Sequence, residues 1–247
     1  MASVCGHPHV DRSTFRRRPP GQNPDTLAIH PQVRLVVKPY ASALPLGFFT
    51  FGIGMFLLAA SGAQWVERKE THSIGILLVT FVFPLEFLAA VIAFLARDTM
   101  AAAALGVFST SWLAIGALAL TSTPGVRSAA FGYYLAAFAI MIAALASVAA
   151  LGNLLIAGIM SLAVVRAATA AAYELGAAVG VEKAGGWIAV LIFAAAMYGG
   201  LAFLLEDVLG KRVLPTFRRG AAREAVEGDL HAQLGALEAE AGIRQSL

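Results

Sequence analysis

The chain has 247 residues, of which 59% are hydrophobic and only 13% charged, with a mean hydropathy of +0.75 and a formal net charge of +3. So little charge excludes a water-soluble domain, which would precipitate, and the single cysteine, Cys5, excludes an internal disulfide framework or a multi-cysteine metal site. The basic excess, including Arg16, Arg17 and Arg18, reads as juxtamembrane charge facing anionic lipid; no nucleic-acid partner is expected.

Residues 1–40 read as a disordered tail, because Pro19, Pro20, Pro24 and Pro31 exclude a regular helix over much of it. Cys5, His7 and His9 belong to that tail, and no metal site or cofactor is expected from them. No compact apolar leader precedes residue 43, so the first apolar run is expected to be a retained span and the insertion signal.

Residues 41–215 read as one membrane domain. A helix rises about 1.5 Å per residue, so about 20 apolar residues cross the hydrocarbon core. The first such run covers 43–63 and ends in a charged loop with Glu67, Arg68, Lys69 and Glu70. The second covers 73–96 and stops at Arg97 and Asp98; the third covers 100–120 and stops at a turn with Pro124 and Gly125. The stretch 129–175 is too long for one crossing and divides at Gly152 and Asn153, a turn-forming pair, into a fourth and a fifth helix. The sixth covers 185–205 and is closed by Glu206, Asp207, Lys211 and Arg212. The fold class is therefore all-α, a polytopic bundle of six transmembrane helices.

With both termini inside, 13 Lys and Arg residues fall on the inner side against 4 on the outer, which predicts cytoplasmic termini in a cell (plasma) membrane. Residues 216–247 form a second cytoplasmic tail. Within it, Ala225, Leu230, Leu234, Leu237 and Ala241 recur at helical spacing, which predicts an amphipathic helix over 221–243, either a surface helix or a contact with a neighbouring subunit.

Polar groups inside the spans carry the functional information, because a charge at mid-bilayer costs about 2.5–3.5 kcal/mol on insertion scales and must face protein, a partner or water. Glu86 lies midway along the second span, two residues after Pro84; Arg166 lies near the centre of the fifth, and Glu174 at that helix's outer end. A Glu86–Arg166 pair is expected, either fixing the packing or lining a conduit. Glu86 alternatively carries a proton with a passing solute. Leu162, Arg166, Thr169 and Tyr173 recur at helical spacing and make one stripe of the fifth helix. No His lies in any span, no intramembrane Asp pair occurs, and no phosphate-cradling Gly-rich motif with its lysine is present, so an enzyme is not expected.

The first span opens Ser42-Ala43-Leu44-Pro45-Leu46-Gly47-Phe48, followed by Phe51 and Gly52, and the sixth is followed by Gly210-Lys211-Arg212-Val213-Leu214-Pro215. Trp112 stands in the third span, and Ala184-Gly185-Gly186-Trp187 opens the sixth. In the order and spacing of these segments, residues 43–215 resemble the acetate uptake transporter family, whose bacterial members include the succinate–acetate permeases. The resemblance implies a channel or permease for acetate and related small monocarboxylates, with succinate as a further candidate. It also implies a hexamer in which each subunit has its own path, and a narrow point made by a Phe, a Tyr and a Leu. Those positions fall on Phe51, Phe108 and Leu162, so the Tyr is replaced by a ring of similar bulk without the hydroxyl. Ser42 stands where the family pattern opens with Asn, and Glu86 where a Gln is usual. Phe51, Phe108 and Leu162 each lie about nine residues into helices entering from the same face, about 13 Å deep, so the three are expected to share one depth. The resemblance aside, the same composition also suits a non-transporting membrane scaffold or a channel for another small solute such as ammonia or urea.

Overall fold

The computed structural model describes residues 41–220; the N-terminal tail and the amphipathic helix expected over 221–243 lie outside the described residues. Among the described residues six helices are long and apolar enough to cross a membrane: Leu44–Gly62, Arg68–Leu95, Thr99–Thr121, Ala129–Gly152, Leu154–Glu174 and Val179–Leu209, the first to sixth spans. Among the described residues β-structure is confined to one isolated bridge, Asn153 with Arg218. The chain is an integral membrane protein of all-α class.

Short polar side chains start three of these helices. Asp98 accepts the Ala101 N–H at 3.0 Å and Ser128 the Phe131 N–H at 3.3 Å. Asn153 accepts from both Leu155 and Ile156, at 3.1 and 3.3 Å, and its extended backbone separates the fourth helix from the fifth at the point the turn-forming pair predicts. Each cap satisfies donors that apolar surroundings would otherwise leave unpaired. The sixth helix is longer than its apolar run. It begins at Val179, includes Glu182 and Lys183, and at 31 residues reaches about 46 Å, well beyond a hydrocarbon core of about 30 Å.

The second span is not a uniform helix. Residues Thr71–Leu77 are α-helical, Leu78–Val82 form a π-turn, and Phe83–Leu95 resume the α-helix. Pro84, which lacks an N–H and would clash with the carbonyl four residues back, explains the widened turn just before it. The rotation introduced there sets the direction in which Glu86 leaves the helix.

Packing follows the solvent rather than the soluble-protein rule. Phe94 and Ile140 are 72% and 74% exposed on the perimeter, while Ala59, Ala89, Ala189 and Ala196 are fully buried between helices. Small residues let backbones approach where lipid supplies no hydrophobic drive between helices. At the tightest crossing, a Cβ on Gly186 of the sixth span would run into the backbone of Gly62 and Ala63 of the first. The neighbours run third, second, first, sixth, fifth, fourth, and the third and fourth spans touch only sparsely. After Gly210, a left-handed helix cap, the chain turns back over the end of the bundle. It is tied there by Tyr198 Oη to the Pro215 carbonyl (2.8 Å), the Arg219 N–H to the Gly152 carbonyl (2.8 Å), and an Arg218–Glu206 ion pair at 2.6 Å. The end where the first span starts and the sixth finishes is called the tail end below, and the opposite one the far end.

Candidate functional site: two cavities meeting at an aromatic layer

Among the described residues two partly open cavities, of about 230 Å³ and about 350 Å³, lie between the helices. Their walls divide each helix by position along the chain. On the first span Leu44, Gly47, Phe48 and Phe51 line the larger cavity, and Met55, Leu58, Ser61 and Gly62 the smaller. On the third, Ala101, Ala104 and Leu105 face the larger, and Ser111, Trp112 and Ile115 the smaller. On the fifth, Ile156, Ile159 and Met160 give way to Ala163, Arg166, Ala167, Ala170 and Tyr173. The larger cavity is therefore the tail-end one and the smaller the far-end one, and Phe108 lines both.

Between them lies a layer of rings. Phe51 and Phe108 meet edge to face with centroids 4.8 Å apart, Phe108 meets Phe138 of the fourth span at 5.7 Å, and Phe51 meets Trp112 at 6.0 Å. Tilted and edge-on contacts at these separations are the favoured arrangement of aromatic quadrupoles. Phe51 and Phe108 point inward, 5% and 6% exposed. They sit seven and nine residues past the starts of their helices, and Leu162 eight past the start of its own.

Leu162 shares that level but not that direction. It is half-buried, packs against the core, and lies outside the lining of both cavities. The fifth helix is turned so that Ala163, Ala167 and Ala170, whose small side chains leave space, face the far-end cavity beside Arg166 and Tyr173. Of the stripe read from helical spacing, Arg166 and Tyr173 reach the cavity. Thr169 is outside its lining and donates its hydroxyl to the Arg166 carbonyl at 2.9 Å.

Arg166 is the charged side chain without a hydrogen-bond or ion-pair partner among the described residues that line the far-end cavity, and its Nε is buried and unsatisfied. Gly185 of the sixth span makes the room: a Cβ there would stand 2.7 Å from Thr169 Oγ1 and 3.5 Å from an Arg166 Nη. Arg68, Glu174 and Glu182 of the cavity lining, and Arg127 beside it, are engaged. Arg68 Nη2 donates to Tyr173 Oη at 3.2 Å and pairs with Glu182 at 3.4 Å, Arg127 lies 4.2 Å over the Tyr173 ring, and Glu174 accepts the Ser128 N–H at 2.7 Å.

The expected Glu86–Arg166 pair does not form. Glu86 is fully buried in the wall of the tail-end cavity, where Oε2 accepts the indole N–H of Trp112 and Oε1 has no partner. Arg166 lines the other cavity, beyond the aromatic layer, so the two side chains lie on opposite sides of it. Sequence reasoning missed the indole as the partner because it matched charge with charge. The signal available was Trp112 itself, whose N–H must find an acceptor when buried. Arg68, Arg127 and Glu182 were also missed as site residues, since all three lie outside the apolar runs of the sequence.

These features define an integral membrane protein whose core holds two cavities separated by aromatic side chains. No family model matches the chain, and no curated protein matches it. The fold is similar to a solved structure described as the bacterial acetate channel SatP, with a TM-score of 0.64, 20% identity, and coverage of 71% of this chain and 98% of that one. At that identity the likeness is one of fold.

Proposed function

We propose that this chain is a channel or transporter for acetate and related small monocarboxylates, which cross each subunit past the aromatic layer. The observation that carries this reading is the pair of cavities meeting at Phe108, with Phe51 edge-on against it. Acetate has a methyl end that passes an apolar collar readily and a carboxylate that resists dehydration. A collar of Phe51 and Phe108 admits the first and excludes bulkier solutes, and it closes by dewetting when empty. The carboxylate then needs a donor, and the Arg166 guanidinium in the far-end cavity, with its unsatisfied Nε, supplies one, Tyr173 lying about two helical turns further along the same wall. The fold likeness to an acetate channel supports the same class of solute. In this reading the protein sits in the plasma membrane with both termini cytoplasmic, and it assembles as a homo-oligomer, a hexamer by the family resemblance.

Uptake of labelled acetate into proteoliposomes, with and without a pH gradient, tests this directly. Saturable acetate flux that propionate inhibits is expected, and succinate competition places the upper limit of solute size. Reconstituted protein that moves no carboxylate identifies a scaffold instead, and flux of ammonia or urea untouched by acetate identifies a different solute.

A further inference from the structure

Trp112 holds a position that acetate conduction as described above does not use. Its ring is 1% exposed and ties three spans together at the level of the aromatic layer. The indole N–H is taken by Glu86 of the second span. The far edge of the indole lies in the slot left by Gly54 of the first span, where a Cβ would stand 2.9 Å from Cη2 and Cζ2. One helical turn earlier on that first span is Phe51, whose ring meets the indole at 6.0 Å and 58°. Trp112 lines the far-end cavity while Glu86 lines the tail-end one, so their hydrogen bond spans the layer that separates the two.

An indole held only by packing can rotate about its side-chain bonds; one whose N–H is also bound to a buried acceptor has a single orientation. In low dielectric a hydrogen bond from an indole N–H to a carboxyl oxygen is stronger than the same bond in water. Glu86 is a demanding acceptor to keep there, because Oε1 stays unsatisfied at 0% exposure. The geometry points to Glu86 and Trp112 as positioning residues for the constriction: the carboxyl fixes the indole, the indole backs Phe51, and Phe51 against Phe108 sets the largest carboxylate that passes. This deepens the acetate reading and rests on it. The class of solute it selects is the shortest monocarboxylates, against those one or two methylenes longer.

The test compares fluxes of acetate, propionate and butyrate through the full-length protein in liposomes. W112F removes the N–H and keeps an aromatic body. It is expected to raise the propionate-to-acetate ratio roughly threefold to tenfold, the range one methylene and one hydrogen bond command. E86Q keeps an oxygen acceptor for the indole and is expected to retain the parent ratio, whereas E86L is expected to match W112F. Because the indole acts through Phe51, W112F is expected to add nothing to the ratio in an F51A background, a coupling that loss of stability alone does not produce. If E86L does not fold, the W112F and F51A cycle decides by itself. A selective parent whose ratio W112F leaves unchanged, or a W112F effect that persists in full without Phe51, overturns this inference alone. A parent that passes no carboxylate overturns the proposed function and this inference together.

Discussion

The two cavities differ in how they hold charge. The far-end cavity carries Arg68, Arg166, Glu174 and Glu182 with Ser111, Ser122, Thr123 and Tyr173, and its Arg68–Glu182 ion pair joins partly exposed side chains. The tail-end cavity is walled by Leu44, Phe48, Leu105, Ile156 and Ile159, with Glu86 fastened to an indole near the aromatic layer and Asp98, Asn153 and Arg218 engaged in caps, a backbone bridge or an ion pair. One chamber holds an arginine with an unsatisfied Nε donor; the other is walled by hydrocarbon, with its buried carboxyl bonded to an indole. The difference shows that one bundle can set a polar chamber holding an unsatisfied arginine donor against an apolar one by placing aromatic side chains between them.

Removing the separation is expected to have the largest effect. In a Phe51→Ala, Phe108→Ala double variant the cavities are expected to merge, and flux of solutes larger than acetate is expected to rise on the order of a hundredfold relative to acetate, measured with labelled butyrate and succinate. An unchanged size cut-off would place the barrier elsewhere. Next is the crossing that shapes the far end. Gly186→Ala pushes the sixth span off Gly62, a far-cavity residue, and is expected to cost about 2 kcal/mol, read from thermal unfolding in detergent. Arg166→Ala is expected to lower acetate uptake about tenfold at sub-saturating concentration, from loss of a charge-assisted bond, with Arg166→Lys partly restoring it. Uptake equal to that of the parent would remove Arg166 from the path. The smallest change is expected from Leu162→Ala, within about twofold in uptake, because that side chain lies outside both linings. A drop rivalling that of Arg166→Ala would mean that the fifth helix turns during conduction.

Much of the bundle was legible in advance because membrane insertion is a one-dimensional problem. Each crossing needs its own run of apolar residues, and Asn153 marks the fourth-to-fifth turn by a capping preference that acts over three residues. Depth along a helix is equally local, so Phe51, Phe108 and Leu162 are legible as sharing a level. Direction is not. Whether position 162 or 163 faces a cavity depends on the rotation of the fifth helix against the fourth and sixth. That rotation is set by where Gly185 leaves space and where alanines pack, and no periodicity within one all-apolar helix reports it.

What the sequence by itself determined is therefore the class: an all-α integral membrane protein of six helices, with ionisable groups at Glu86 and Arg166 that need a reason to be there. The rest came from tertiary structure. Only the folded bundle decided that Trp112 and not Arg166 meets Glu86, that Phe108 stands between two cavities, and that Arg166 is left with an unsatisfied donor. The physical reason is one of range. Hydrophobic insertion and helix capping are settled within one stretch of chain, whereas partners for buried polar groups come from whichever helices close packing brings alongside.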